Sequence, residues 1–351
     1  MKISNTIKPS KGIQKKPEQS DELYQANGVA YIEADLKINH LRILMAIILH
    51  LQQAIRFKVN RPSDRKGIPD VFLPPPGPDT RLGKVRILEI PVSDFHIGPS
   101  NGARLRNCLD ELCTTRIVFP TVNVYMLDTF PGLIAGYSQE PYRKSVKVHL
   151  LEPMIKRLLL TEVGYSHYSH SKALTISNKY TVRLYWLICS WRNRGGFVIS
   201  IDALRKFLQL GPGYDKYSNV VSRVLVPSRE ELRSRFPIWF LYKDYKSDDG
   251  SRRIAFKIKV KLAPEEEKRQ KNEANDFFFS ALTKSGIPVS SVWDLLATLE
   301  TEDIKPVSRK LLEILFHIKS HPEIHRPADY LRVALTTWLD NWSARYQDIS
   351  D

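Results

Sequence analysis

Lys216, Asn219 and Arg223 recur at i, i+3 and i+7, so on a helix they share one face, opposite Val221, Val224 and Leu225. Arg and Asn pair bidentately with guanine and adenine edges in the major groove of DNA. With Tyr217 and Ser222 flanking it, this face could read bases or be an ordinary solvated helix surface. From Arg253 to Leu262 the chain alternates strictly. Ile254, Phe256, Ile258, Val260 and Leu262 take one side, and Arg253, Lys257, Lys259 and Lys261 take the other with Ala255. A strand with one apolar and one cationic face suits tracking a phosphate backbone. It equally suits a charged edge that blocks aggregation. Arg229, Arg233 and Arg235 extend the basic surface. A weaker set is Arg104, Arg106 and Asn107, followed closely by Asp110 and Glu111, which would repel phosphate. There, base reading and a structural or dimerisation role stay open.

Other chemistries find little support. His167 and His170 are three apart, and His317, His321 and His325 recur at four, but no Cys or carboxylate set completes a metal site. No GxxxxGK[ST] phosphate loop occurs, nor a His-x-His between apolar strands of the kind a metal-dependent nicking enzyme needs. Tyr137, Tyr142, Tyr165, Tyr168 and Tyr180 are not spaced as a nucleophile set. The sequence therefore predicts no enzyme, no cofactor and no metal. Cys108, Cys113 and Cys189 form no CxxC, which fits a reducing cytoplasm.

Each candidate face needs a helix or strand to present it. Leu36 to Phe57 has helical spacing, Val85 to Ile90 reads as a strand, and Val92 to His96 as a short helical turn. Ser100 can cap a helix reaching Thr114, and β-type runs follow at 117–127 and 144–150. Between the first helix and the first strand, 58–84 is a proline-rich loop. The plan then restarts with a helix over 176–191, ended by Gly195 and Gly196, and a strand over 197–200. A helix capped by Ser200, a Gly-Pro-Gly turn and a helix over 216–235 that Pro227 should kink come next. Two strands over 238–246 and 253–262, joined by a polar Asp-Gly loop, close the plan. Helix, strand, helix, turn, helix, hairpin is the order of the winged helix-turn-helix, and it occurs twice. The expected fold class is α+β, with two tandem winged helices followed by a small all-α region. The expected boundaries are a disordered basic arm over 1–21, a first winged helix over 22–160, a linker over 161–172, a second winged helix over 173–263 and a helical region over 264–351.

Charge divides along the same lines. The 351 residues carry a net +15, yet 264–351 holds 11 Lys and Arg against 15 Asp and Glu, which leaves +19 on 1–263. A field of that size favours a polyanion, nucleic acid first and an anionic membrane surface second. No run approaches the ~20 apolar residues that span a bilayer. Met1 to Gln19 is polar, with five lysines and no apolar stretch, unlike a secretory signal.

The residues of 160–262 resemble the plasmid replication initiator (Rep) superfamily. In that family, a Ser, Tyr, Ser, Arg, Leu, Tyr pattern lies in the helix that opens the second winged helix. Here it is matched by Ser177, Tyr180, Thr181, Arg183, Leu184 and Tyr185. The family's recognition helix is matched by Tyr217, Val224, Leu225, Pro227, Glu231 and Leu232, with Ser228 and Leu232 as mild departures. The likeness is weak over 30–160 and absent over 264–351. It implies binding of repeated double-stranded DNA sites (iterons) at a plasmid origin by two winged helices in successive major grooves. It also implies melting of an adjacent AT-rich segment, recruitment of host initiator and helicase machinery, and exchange between a repressor homodimer paired through the first winged helix and an initiating monomer. The rivals are a transcriptional regulator built from the same modules and a rolling-circle nicking enzyme.

Overall fold

The computed structural model describes residues 21–54, 76–77, 83–98, 102–120, 127–140, 144–159, 164–247 and 250–344. Residues 1–20 of the expected basic arm, Ser100 and most of the proline-rich loop lie outside these residues, while Asp21 is hydrogen-bonded to Ser169 and Ser171. The fold class is α+β.

The chain begins with β1 (Glu22–Ala26), α1 (Asn27–Ala30) and α2 (Ile38–Ala54), followed by β2 (Val85–Pro91) and a 3-10 turn (Val92–Phe95). Next come α3 (Gly102–Thr114), β3 (Ile117–Pro120), β4 (Leu127–Phe130), β5 (Gly136–Ser138), β6 (Ser145–Leu151) and α4 (Glu152–Leu159). β7 (Tyr165–Ser169) and α5 (His170–Leu174) lead into α6 (Lys179–Trp191), β8 (Gly196–Ser200) and α7 (Ile201–Leu208). α8 (Tyr217–Val220), a π-helical turn (Val221–Leu225) and α9 (Val226–Arg235) run without a break into β9 (Ile238–Lys246) and β10 (Arg252–Val260). The C-terminal helices are α10 (Pro264–Lys284), α11 (Trp293–Leu296), α12 (Thr301–Ser320) and α13 (Pro327–Ala344).

Two antiparallel three-stranded sheets share one plan. Each places its last strand between the other two, in the orders β2-β6-β5 and β8-β10-β9. In the second, Phe256 of β10 sits opposite both Phe197 and Tyr242, and the Phe197 and Phe256 rings stack with centroids 4.8 Å apart. Capping sets where these helices start. Asn178 accepts from the Tyr180 amide at 2.8 Å ahead of α6, and Ser200 accepts from the Ala203 amide at 3.2 Å ahead of α7. Ahead of Pro227, where a kink is expected, the helix takes a π-turn. Proline has no N–H to give to residue 223 and its ring crowds that carbonyl, so the preceding turn takes an extra residue. The phase shifts with it, so that Val220 is fully buried and Val221 only partly.

The expected linker is structured where it is described. Tyr165–Ser169 pairs antiparallel with Glu22–Ala26, with Ser166 and Tyr168 inward, and the Ser169 hydroxyl caps α5. A period-two pattern of Ser and Tyr on a short strand is a weak signal beside its polar neighbours. One continuous core then runs from Leu23 to Ile258. Arg183 crosses it. This buried guanidinium on α6 donates to the carbonyls of Ile32 and Ala34 and lies over the Phe207 ring. Burial lowers it to about 10. The C-terminal helices bury their own cluster around Phe278, Leu282, Leu311 and Leu335.

Candidate nucleic-acid interface

The helical stretch from Tyr217 is held by the turn before it. Arg205 of α7 donates to the carbonyls of Tyr214 and Asp215 and pairs with Asp202 at 2.9 Å, which fixes the reversal between α7 and α8. Lys216 occupies the N-cap and is exposed. Asn219, one turn on, donates its Nδ2 to the Gly213 carbonyl at 2.9 Å and is partly covered. Its amide thus fastens the turn, and bidentate pairing to a base edge would have to break that bond. Ser222 and Arg223 stand exposed on the outer side of the π-turn, and Arg223 makes no ion pair among the described residues.

Further along, the basic residues diverge. Arg229 is bound by Glu230 through Nε and Nη2 at 3.1 and 2.9 Å and leans toward the Tyr242 ring. Arg233 remains exposed. Arg235 turns back to the Thr175 carbonyl and Glu231. Tyr217 is half-buried, and the Arg252 guanidinium lies 4.5 Å from its ring centroid. Burial first and the Asp244 carboxylate second push the Tyr217 hydroxyl well above its ordinary value. Sequence reasoning missed Arg205 and Arg252, because one serves a backbone turn and the other sits one residue before the alternating run.

The cationic face of β10 has a different occupant. Lys259 reaches Glu300 at 3.2 Å, and Lys257 lies 3.8 Å from both Glu300 and Asp303, with the two lysine side chains only 22% and 19% exposed. Glu300 occupies the N-cap position of α12 and Asp303 sits in its first turn, so the acidic C-terminal helices rest on these lysines. Arg253 is partly buried in the sheet, and Ala255 is wholly buried rather than outward. The alternation over 253–262 therefore describes a strand covered on both sides along much of its length.

In the first sheet unit, Arg104, Arg106 and Asn107 are exposed in the first turns of α3. With the Asn39 amide oxygen turned toward it, Arg104 donates to that oxygen at 2.9 and 3.1 Å. Glu111 is engaged by Lys37 at 2.7 Å and His40 at 3.0 Å, and the bond from Lys37 pulls its carboxyl down. Asp110 accepts from the Tyr137 hydroxyl at 2.9 Å. The carboxylates expected to repel phosphate are thus partnered within the fold.

The sequence-predicted residues fall into three places. Lys216, Ser222, Arg223 and Arg233 are exposed along one helical stretch, Arg104, Arg106 and Asn107 lie on α3, and Lys257 and Lys259 lie beneath α12. The His317 and His321 rings lie tilted against each other with centroids 4.0 Å apart, and the His321 Nδ1 faces the His317 carbonyl. Among the described residues, no helix is long and apolar enough to cross a membrane. No family model matches the chain.

Proposed function

We propose that the chain is a plasmid replication initiator of the Rep type, binding repeated double-stranded DNA sites at an origin without catalysing bond chemistry. The observation that carries the reading is the shared plan of the two sheet units. In each, a helix precedes an edge strand, a short helical element and then a longer one follow, and the last strand of the closing hairpin inserts beside the first strand, in the first unit after the β3–β4 pair. This plan supports reading each unit as a winged helix-turn-helix, a motif in which the helix before the hairpin enters the major groove. In the second unit that helix carries exposed Lys216 and Arg223, in the first Arg104, Arg106 and Asn107.

In this reading the two modules occupy successive grooves with contact centres ~10 bp apart. Binding energy is then spent on deforming and melting a neighbouring AT-rich segment. The common core from Leu23 to Ile258 supports a fixed spacing between the modules. Self-pairing through the first module, action in the cytoplasm and recruitment of host initiator and helicase proteins belong to the same proposal. Exposed Leu312, Phe316 and Val333 on the C-terminal helices support assigning the protein contacts there.

The experiment is a footprint on the plasmid origin paired with a marker-plasmid replication assay. Two protected grooves on one duplex face, and replication that depends on the chain, are expected. Protection without replication would favour a transcriptional regulator. Nicked product from supercoiled origin DNA with Mg²⁺ or Mn²⁺ would overturn the non-catalytic reading.

A further inference from the structure

Arg192, Lys305 and His167 reach one cleft from three parts of the fold. Arg192 opens the 3-10 turn after α6, Lys305 lies in the second turn of α12, and His167 lies on β7. A cavity of about 230 Å³ is lined by His167, Ser169, Lys172, Arg192 and Lys261 among others. A smaller one adjoins it, lined by Arg192, Thr301 and Lys305, and the two share Val260 and Leu262 as an apolar wall.

The charge in this cleft is unbalanced. Glu22 is the one carboxylate among the described lining residues, and it accepts from the Tyr24 hydroxyl at 2.8 Å. Arg192 makes no ion pair among the described residues, and the Lys305 ammonium donates to the neutral Asn193 Oδ1 at 3.0 Å. Burial and the nearby Arg192 both push Lys305 below its ordinary value. Burial pushes His167 down as well, with Arg192 and then Lys305 adding to it and Glu22 opposing. Two other covered cations meet carboxylates, Arg86 with Glu152 and Lys259 with Glu300. Here Arg192, Lys172, Lys261 and the exposed Lys305 converge on a hollow where Glu22 is the one carboxylate among the described lining residues.

We infer that this cleft binds a phosphate-class anion, gripped by Arg192 and Lys305 and screened at the mouth by Lys172 and Lys261. Guanidinium and ammonium groups form their strongest hydrogen bonds with such an anion, and the apolar wall raises the strength of each. Because Arg192 follows α6 and Lys305 belongs to α12, the anion also clamps the C-terminal helices to the preceding unit. The phosphate can come from a free nucleotide or from a DNA backbone. The inference does not depend on the replication reading.

The test titrates the full chain with inorganic phosphate against chloride at equal ionic strength, followed by calorimetry and thermal unfolding. Saturable binding that raises the unfolding temperature is expected. Arg192→Gln and Lys305→Gln should each weaken it tenfold or more, while Lys319→Gln leaves it intact. Without phosphate, both cleft variants should unfold no lower than the parent, since each removes repulsion. Parallel titrations with ATP and with a 20-bp duplex separate the sources. Lost ATP binding with unchanged duplex affinity identifies a nucleotide, and a lowered duplex affinity identifies DNA. Equal responses to phosphate and chloride, or full phosphate binding by both cleft variants, would overturn the site. Phosphate binding by a chain that ignores DNA would keep the site and sink the DNA reading.

Discussion

The Arg252 guanidinium lies over the Tyr217 ring, 4.5 Å from its centroid, and so ties the last strand of the second sheet to the start of the helix bearing Lys216 and Arg223. Asp244 of the neighbouring strand stands 3.7 Å from the same guanidinium. Helix and hairpin are thereby set in one geometry. A cation–π contact contributes about 0.5–1 kcal/mol at an exposed site and up to about 2 where it is desolvated. Arg252→Ala should therefore weaken binding to an origin duplex a few-fold and lower stability slightly. Tyr217→Phe, which keeps the ring, should leave both unchanged in a gel-shift titration and a urea melt.

Lys216 and Arg223 are exposed while Asn219 is bonded to the Gly213 carbonyl, so in the DNA-binding reading proposed above the three should behave differently. Arg223→Ala should cost roughly 1–3 kcal/mol on the cognate site and little on random duplex if the side chain reads a base. Lys216→Ala should lower affinity for both and reduce the salt slope by about one. Asn219→Ala removes the bond to the Gly213 carbonyl. It should cost about 1 kcal/mol of stability, as losing such a turn bond does. Its effect on cognate and random DNA should be equal. A selective loss of cognate binding with unchanged stability would return Asn219 to base reading.

These contrasts mark how far the sequence reaches. Periodicity and caps place a helix well where Ser200 and Gly195 act over a few residues, whereas α6 starts at Lys179 rather than at 176 because Asn178 caps it. The pairing of β1 with β7 joins segments over 140 residues apart, and no local pattern in Tyr165–Ser169 names its partner. The alternation of β10 reveals a strand with a cationic face but not what covers that face. Glu300 and Asp303, which do, are some forty residues on, in a region read separately. The Arg252–Tyr217 contact was hidden for the same reason, because it depends on how strand and helix meet.

The lysines of β10 should act as a latch for the C-terminal helices. Lys259→Glu should loosen that docking, detected as faster proteolysis between β10 and α10, and Glu300→Lys in the same chain should restore part of it. The coupling of such a half-exposed pair is about 0.5–1 kcal/mol. Gly195 provides a sharper probe. It takes φ +71°, and a Cβ there would meet Trp342 at 2.8 Å and Pro306 at 2.9 Å. Gly195→Ala should release the C-terminal helices more completely than the lysine variant. Unchanged proteolysis in both variants would argue against the latch.

Acid should weaken the fold through His170. This ring is buried beside His96, and burial first, with His96 next, pushes it down to about 4. His50 adds to the depression, while Asp21 and Asp94 oppose it. The folded chain therefore holds the ring neutral between about pH 4 and 6.5, whereas the unfolded chain takes up a proton below its ordinary value near 6.5. Because the unfolded state binds more protons in that window, stability falls as pH drops through it and levels off below about 4. The loss is on the order of 2 kcal/mol once solvent screening of the ring is allowed for. Urea melts at pH 7 and pH 4.5 should show it. His170→Gln should flatten the difference, because an amide in that place does not titrate. An identical pH dependence in the variant would assign the acid sensitivity to other buried rings, of which His40 and His167 are also held low by burial.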